Sequence, residues 1–270
     1  MFKKSIFIIF LLGAFLAVDY ANHPRGMRFK PAKITAADDI QPISLSGLEI
    51  NRILDQKFTY FDKGSQTYVF ISEDSQYVLK FLKQTKLYPK TWLAYLPFTP
   101  LHEQHLQYKE KRQRTFDALT LAMTEFREDT GLLYVHLGKT HHLHKQVELT
   151  DRKKKKHIIT LDSACFVIQK KAHLLYPYLS ELAEKKDLEK AQKVIASFYA
   201  LVDRFAEKGV VAHDPILHKN FGVLEDRAIQ FDVGRMKMDP QSMTTDGAID
   251  IRKSFDAWIA KNHPELLPSP

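Results

Sequence analysis

At 270 residues, with 44% hydrophobic and 27% charged side chains, the chain has the make-up of a globular protein with a sizeable core, which excludes general disorder. Its formal net charge of +8 fits an anionic ligand or an anionic membrane surface. That balance is too modest for this length to point to nucleic acid, and no nucleic-acid partner is expected. The single cysteine, Cys165, excludes an internal disulfide, and its setting in "SACFVIQ" reads as a small buried hydrophobe.

Lys3 and Lys4 precede an apolar run from Ile6 to Val18, after which polarity returns. Residues 1–21 therefore read as a signal peptide or short signal anchor, since the run is shorter than the roughly 20 residues of a full span. Export or membrane anchoring follows from that reading. A hydrophobic N-terminal helix packed on the domain, in a cytoplasmic protein, is the plainer alternative. Residues 22–50 carry Pro24, Gly26, Pro31 and Pro42 without periodicity and read as a linker or tail.

From Lys57 the pattern is that of strands. "KFTYF", "QTYVFIS" and "YVLKFL" predict an antiparallel meander, the last two joined by a turn at Ser72–Ser75. Alternation in the third strand sends Val78, Lys80 and Leu82 to one face and Tyr77, Leu79 and Phe81 to the other. A lysine among apolar neighbours needs a partner if covered, or an edge-strand position from which its stem reaches water.

A helix is predicted over about Glu103 to Glu128, from the spacing of Phe116, Leu119, Met123 and Phe126, with Gly131 closing it. "KQVELT" and "HIITLDSACFVIQKKA" then predict a hairpin whose tip is the basic run Arg152 to Lys156. That run is a solvated loop in the plain reading, or a membrane or polyanion contact in the sharper one. His136, His141, His142 and His144 cluster just before it. No carboxylate or cysteine completes a familiar zinc spacing with them.

The best helix starts at a capping Asp187 and carries the stripe Leu188, Ala191, Val194, Ile195, Phe198, Leu201, Val202 and Phe205, with Gly209 placed to stop it. It delivers the chain into "GVVAHDPILHKNFGVLEDRAIQFDVGRM". There "VVA" reads as a short strand and "HDPILHKN" as a loop. "FGVL" and "AIQFDVG" read as a hairpin across Glu225–Arg227. Asp214, Asn220 and Asp232 sit where strands and loops end, so that side chains can converge. Asp214 before Pro215 is also a favoured turn pair. Asp232, between Phe231 and Val233 on an apolar strand, is expected to be buried and in need of a partner. His213 and His218 flank the loop. Carboxylate and amide oxygens are what Mg²⁺ accepts, and phosphoryl transfer asks for a metal clamp, a lysine on the phosphates and a carboxylate for the attacking hydroxyl.

Taken in order, "YVLK" ending at Lys80, "AHDPILHKN" ending at Asn220 and "FDVG" ending at Gly234 resemble the protein kinase-like fold, over about Lys57 to Met236. The resemblance implies an α+β, two-lobed molecule. An antiparallel-sheet N-lobe with one main helix would occupy 51–172, and a reduced, mostly helical C-lobe 173–270. It also implies ATP and Mg²⁺ as cofactors. Lys80 would contact the nucleotide phosphates, Asp214 would be the catalytic base, and Asn220 and Asp232 would hold the metal, with Gly234 permitting the turn that follows. Gly64 and Ser65, in "FDKGSQTYVF", would approach a phosphate. Glu125 fits best as the helix glutamate beside Lys80, with Glu128 and Glu110 left open.

The departures from the family pattern are specific. The phosphate-covering loop has one glycine, and five residues separate Asp214 from Asn220, one more than usual. His213 stands where protein kinases carry arginine, "DVG" replaces "DFG", and no activation-segment motif follows Gly234. Three functions stay open on these residues. The first is a phosphotransferase acting on a hydroxyl acceptor, with a small, sugar or lipid-linked acceptor favoured over a folded protein. The second is a degraded kinase-like module that binds a nucleotide or partner without turnover. The third is a basic protein that binds a membrane surface, with possible contact through the N-terminus, or a polyanion.

Overall fold

The computed structural model describes residues 29–36, 40–46, 50–84, 99–212, 216–238 and 246–267. Residues 1–21 and the catalytic-base candidate Asp214 lie outside these. Among the described residues the architecture is α+β: a curled sheet of eight strands, then a mostly helical half. This is compatible with the two-lobed fold that the sequence resembles.

The sheet consists of β1 (Ile43–Ser46), β2 (Phe58–Lys63), β3 (Thr67–Ser72), β4 (Tyr77–Leu82), β5 (Leu132–Leu137), β6 (Gln146–Thr150), β7 (Lys156–Thr160) and β8 (Phe166–Lys170). Their order is β1-β5-β8-β4-β3-β2-β6-β7. Every pairing is antiparallel except β2 with β6. The strand bearing Lys80 lies between β3 and β8, so the lysine is central, not at an edge.

Period-two alternation gives the sheet two covered faces. Leu79 and Phe81 of β4, Tyr68 and Phe70 of β3, and Phe166 and Ile168 of β8 enter one core, roofed by Phe29, Ile34 and the short helix α1 (Asn51–Leu54). Val78, Lys80 and Leu82 point to the opposite side, which faces the helical half. Part of the stretch expected to be a linker is therefore packed: Phe29 and Ile34 are buried, and Ile43–Ser46 pairs with β5. His136, grouped in sequence with His141, His142 and His144, lies in β5 and is fully buried. Its ring nitrogens meet the Ala164 carbonyl at 2.8 Å and Thr140 Oγ1 at 2.9 Å.

The helix α2 runs Thr99–Glu125, starting earlier than the periodicity suggests. A break at Phe126 separates it from α3 (Arg127–Thr130), which Gly131 closes with φ 68°. The second half comprises β9 (His173–Leu174), α4 (Leu175–Glu184), α5 (Leu188–Glu207), β10 (Val210–Ala212), α6 (Leu217–Asn220), β11 (Phe221–Leu224), β12 (Arg227–Gln230), β13 (Met236–Met238) and α7 (Asp246–Asn262). Asp187 caps α5 by accepting from the Lys190 amide, and Gly209, at φ 65°, ends it. The α5 stripe is buried as expected, apart from Leu188 at its exposed start. Phe198 at its centre packs on Phe255 of α7 at 4.2 Å and on Phe221 of β11 at 5.4 Å. One aromatic contact set thus ties helix, helix and hairpin together.

Candidate functional site

Between the sheet and the helical half lies a cleft of about 890 Å³. Its sheet wall is Val78, Lys80 and Leu82 of β4 with Val167 and Gln169 of β8. Its lid is the β2–β3 turn, Gly64 to Gln66, and its opposite wall is Asn220 with Gln230 to Arg235. Gly64, Ser65, Lys80, Asn220 and Asp232 therefore line one space.

Hairpin register explains how Asn220 and Asp232 meet. Phe221 pairs with Gln230 across a two-residue turn, Glu225–Asp226, whose residues hold φ 50° and 62°. Continuing that register sets Asn220 opposite Phe231, and the Asn220 carbonyl accepts from the Phe231 amide at 2.9 Å and the Asp232 amide at 3.5 Å. Behind it, Gly222 leaves no room for a side chain: a Cβ there would stand 2.6 Å from the His173 carbonyl. That close approach presses β11 onto β9.

The same register corrects two expectations. β12 ends at Gln230, so Asp232 lies beyond the strand, exposed on the cleft wall. The "HDPILHKN" loop includes a helical turn, Leu217–Asn220. Gly234 also differs from its expected role. It does not adopt a left-handed conformation, and a Cβ on it would meet only Asp232 Oδ1 at 3.9 Å, so sterics do not demand glycine there.

Lys80 is held by the chain itself. Its Nζ donates to the Phe231 carbonyl at 2.9 Å and lies 5.3 Å from the Phe231 ring centroid. Gln169 donates to that carbonyl at 3.2 Å and to the Thr130 carbonyl at 2.5 Å. Burial pushes the Lys80 ammonium down to about 8, and the nearby Asp232 carboxylate partly offsets this. The Gly64 turn is tied back in turn: Lys83 Nζ donates to the Gly64 carbonyl at 2.6 Å and Thr115 Oγ1 to Gln66 Oε1 at 3.3 Å.

Glu125 is not part of this arrangement. It pairs with Lys208 at 3.3 Å, both side chains half exposed, while α2 turns Thr115 and Leu119 into the cleft. Glu128 pairs with Arg227 at 3.1 Å. Glu110 is exposed, and at 100° per residue it lies about 140° around the helix from Thr115. The reason is helix rotation: the buried stripe of α2 is fixed by Phe116, Ala122 and Met123, which leaves Glu110 and Glu125 off the cleft face, while Glu128 lies beyond the break, on α3.

Among the cleft residues that escaped the sequence reading are Gln169, Thr115 and Gln230. Gln169 was discoverable, because it shares a strand face with Val167 in an otherwise apolar "FVIQ". Gln230 is 3% exposed. Its Nε2 donates to the Asp232 carbonyl at 3.2 Å, while its Oε1 is buried without a protein partner. An orphaned acceptor in a cleft wall asks for a donor from a ligand. Lys63, Lys80, Lys170, Lys171, Lys219 and Arg235 line the cleft against Asp62 and Asp232, so it favours an anion. Cleft volume, cationic lining and the adjacent Asn220 and Asp232 fit a metal-bound nucleotide.

No protein-family profile and no curated protein matches the chain. Among solved structures it is similar to a 2.2 Å crystal structure of WbdD, at 15% identity and TM-score 0.36, over 75% of this chain and 36% of that one. It is likewise similar to a medium-resolution structure of WbdD, described as a bifunctional kinase-methyltransferase, at 15% identity and TM-score 0.34, over 73% and 34%. The chain spans about a third of the length of each.

Proposed function

We propose that this chain is an ATP- and Mg²⁺-dependent phosphotransferase acting on a hydroxyl acceptor, with a small, sugar or lipid-linked acceptor favoured over a folded protein. The observation that supports it is the shared cleft of Lys80, Gly64, Ser65, Asn220 and Asp232, brought together from separate elements of the sequence. The amide oxygen of Asn220 and the carboxylate of Asp232 would hold the metal. Bound Mg²⁺ supplies charge neutralisation on the transferring phosphoryl group. Lys80 would exchange the Phe231 carbonyl for a phosphate oxygen, a stronger acceptor for an ammonium donor. Backbone amides of the Gly64 turn and the Ser65 hydroxyl would cover the phosphates. Asp214, assigned by resemblance, would take the acceptor hydroxyl's proton as its oxygen bonds to phosphorus and the bond to the leaving phosphate breaks.

A second reading, a kinase-like module that binds nucleotide without turnover, has one observation in its favour. The cleft face of α2 carries Thr115 and Leu119, so no carboxylate from that helix orients Lys80. Thermal unfolding with millimolar Mg²⁺-ATP tests both: a raised midpoint that disappears in Asp232→Ala is expected, and an unmoved midpoint removes both. Acceptor phosphorylation or slow ATP hydrolysis that is lost in Asp214→Ala supports catalysis, whereas binding without turnover supports the module.

A further inference from the structure

The turn joining β6 to β7 carries Arg152, Lys153, Lys154 and Lys155, and β7 opens with Lys156, which pairs with Glu148 at 3.1 Å; all five basic residues are exposed. Asp151 is buried and accepts from the Lys153 amide at 2.8 Å, the Lys155 amide at 3.0 Å and His157 Nε2 at 2.9 Å. Its own amide donates to the Lys155 carbonyl at 2.9 Å. Lys154 sits at φ 63°, a left-handed conformation that glycine or asparagine adopts with less strain. The turn therefore presents its cations in a set shape, and it keeps a lysine where conformation alone would choose another residue. Beside it, Ile158 on the outer face of the edge strand β7 is 60% exposed.

Two placements say what this surface meets. Phe29 packs edge-on against His157 at 5.1 Å, at the base of the basic turn, and also against Tyr68 and Phe70. In sequence, the apolar run ending at Val18 precedes Phe29 by eleven positions, a reach of at most about 40 Å of extended chain. That bound leaves the run within reach of the surface that bears the cations. In addition, β6 runs parallel to β2 with Thr150 level with Thr59, so the turn after Thr150 points along the sheet toward the end that carries the Gly64 turn.

We propose that the Arg152–Lys156 turn, with Ile158, is a docking surface for an anionic lipid bilayer, holding the Gly64 end of the sheet toward the headgroups. An apolar segment and a polybasic patch acting together make the two-signal membrane attachment that neither provides alone. On the phosphotransferase reading, this places a lipid-linked hydroxyl ahead of a freely diffusing one as the acceptor.

Flotation of the full chain, without nucleotide, on neutral phosphatidylcholine vesicles and on vesicles one-third phosphatidylglycerol tests the surface. Partitioning at least about tenfold stronger on the anionic vesicles is expected, lost in high salt and in the variant with Lys153 to Lys156 all changed to Ala. That variant should keep its thermal midpoint, since the replaced side chains are exposed. A milder variant, Lys154→Asn, should retain the fold and lose part of the preference. Equal partitioning on both vesicles overturns the proposal, as does a quadruple variant that keeps the preference. Capture of soluble polyphosphate by the turn without an anionic-vesicle preference also overturns it. Asp232→Ala should leave flotation unchanged, so failure here and failure of the nucleotide site are separate results.

Discussion

The two faces of the eight-stranded sheet are built from the same strands and do different work. On one face Leu79, Phe81, Tyr68, Phe70, Phe166 and Ile168 meet in a dry aromatic cluster. On the other, the same strands offer Val78, Lys80, Leu82, Val167 and Gln169 to a cleft. Alternation alone decides which residue goes where, so a polar group can sit one position from a fully buried phenylalanine. The comparison teaches that stability and cleft chemistry are separable within a single strand: residues 79 and 81 hold the sheet, and residue 80 faces the cleft.

The most forceful attempt to break that separation is Phe81→Ala. Phe81 is fully buried against Phe70 and Phe166, and its truncation should cost about 3–5 kcal/mol in chemical denaturation. Any folded remainder should still bind nucleotide, and a variant that folds but no longer binds would join the two faces. Asp232→Ala tests the other side. Its stability without ligand should stay within about 0.5 kcal/mol, because the carboxylate is exposed. It should lose the stabilisation, about 2.7 kcal/mol at a hundredfold excess over Kd, that nucleotide gives the wild type.

Lys80→Met sharpens the comparison through pH. The folded value of Lys80, about 8, lies below its ordinary 10.5, so the folded protein gives up that proton before the unfolded chain does. Between those values the unfolded chain holds more protons and wild-type stability rises with pH. Relative to Lys80→Met, the wild type should gain about 1–3 kcal/mol from pH 8 to 10.5, read from denaturant midpoints at each pH. Parallel pH profiles would show the ammonium to be well solvated. Gln169→Leu, which strips a donor from the Phe231 and Thr130 carbonyls, should cost about 1–3 kcal/mol and weaken nucleotide binding. Glu125→Ala is the smallest effect. Its half-exposed pair with Lys208 should be worth less than about 0.5 kcal/mol, with nucleotide binding intact. Loss of binding there would return Glu125 to the side of Lys80.

Local pattern made much of this legible. The meander, the split of β4 into two faces, the Asp187 cap and the Gly209 stop are all short-range signals, and the structure carries each of them. Long-range pairing was not legible. "LLYVHL" lacks a polar–apolar alternation because β5 is buried on both faces, and such a run looks the same in a helix and in a strand. β1 is a strand only because β5 offers it an edge far along the chain. For the cleft, the order of the motifs pointed to Lys80, Asn220 and Asp232, which the structure sets around one space. Which rim of α2 meets the cleft depends on how the helix is rolled on the sheet, and periodicity leaves that open. Glu125 was therefore assigned by position, where packing selects Thr115.

The two-residue turn at Glu225–Asp226 has a reach beyond its size. It touches none of the cleft oxygens, yet it acts as their spacing gauge: one inserted residue would slide β12 a single position and swing Asp232 off the rung next to Asn220. Both residues endure left-handed geometry, so an Asn-Gly replacement would relax the bend and leave the gauge setting untouched. The spacing of Asn220 and Asp232 is thus adjustable from outside the cleft, at a bend on the surface.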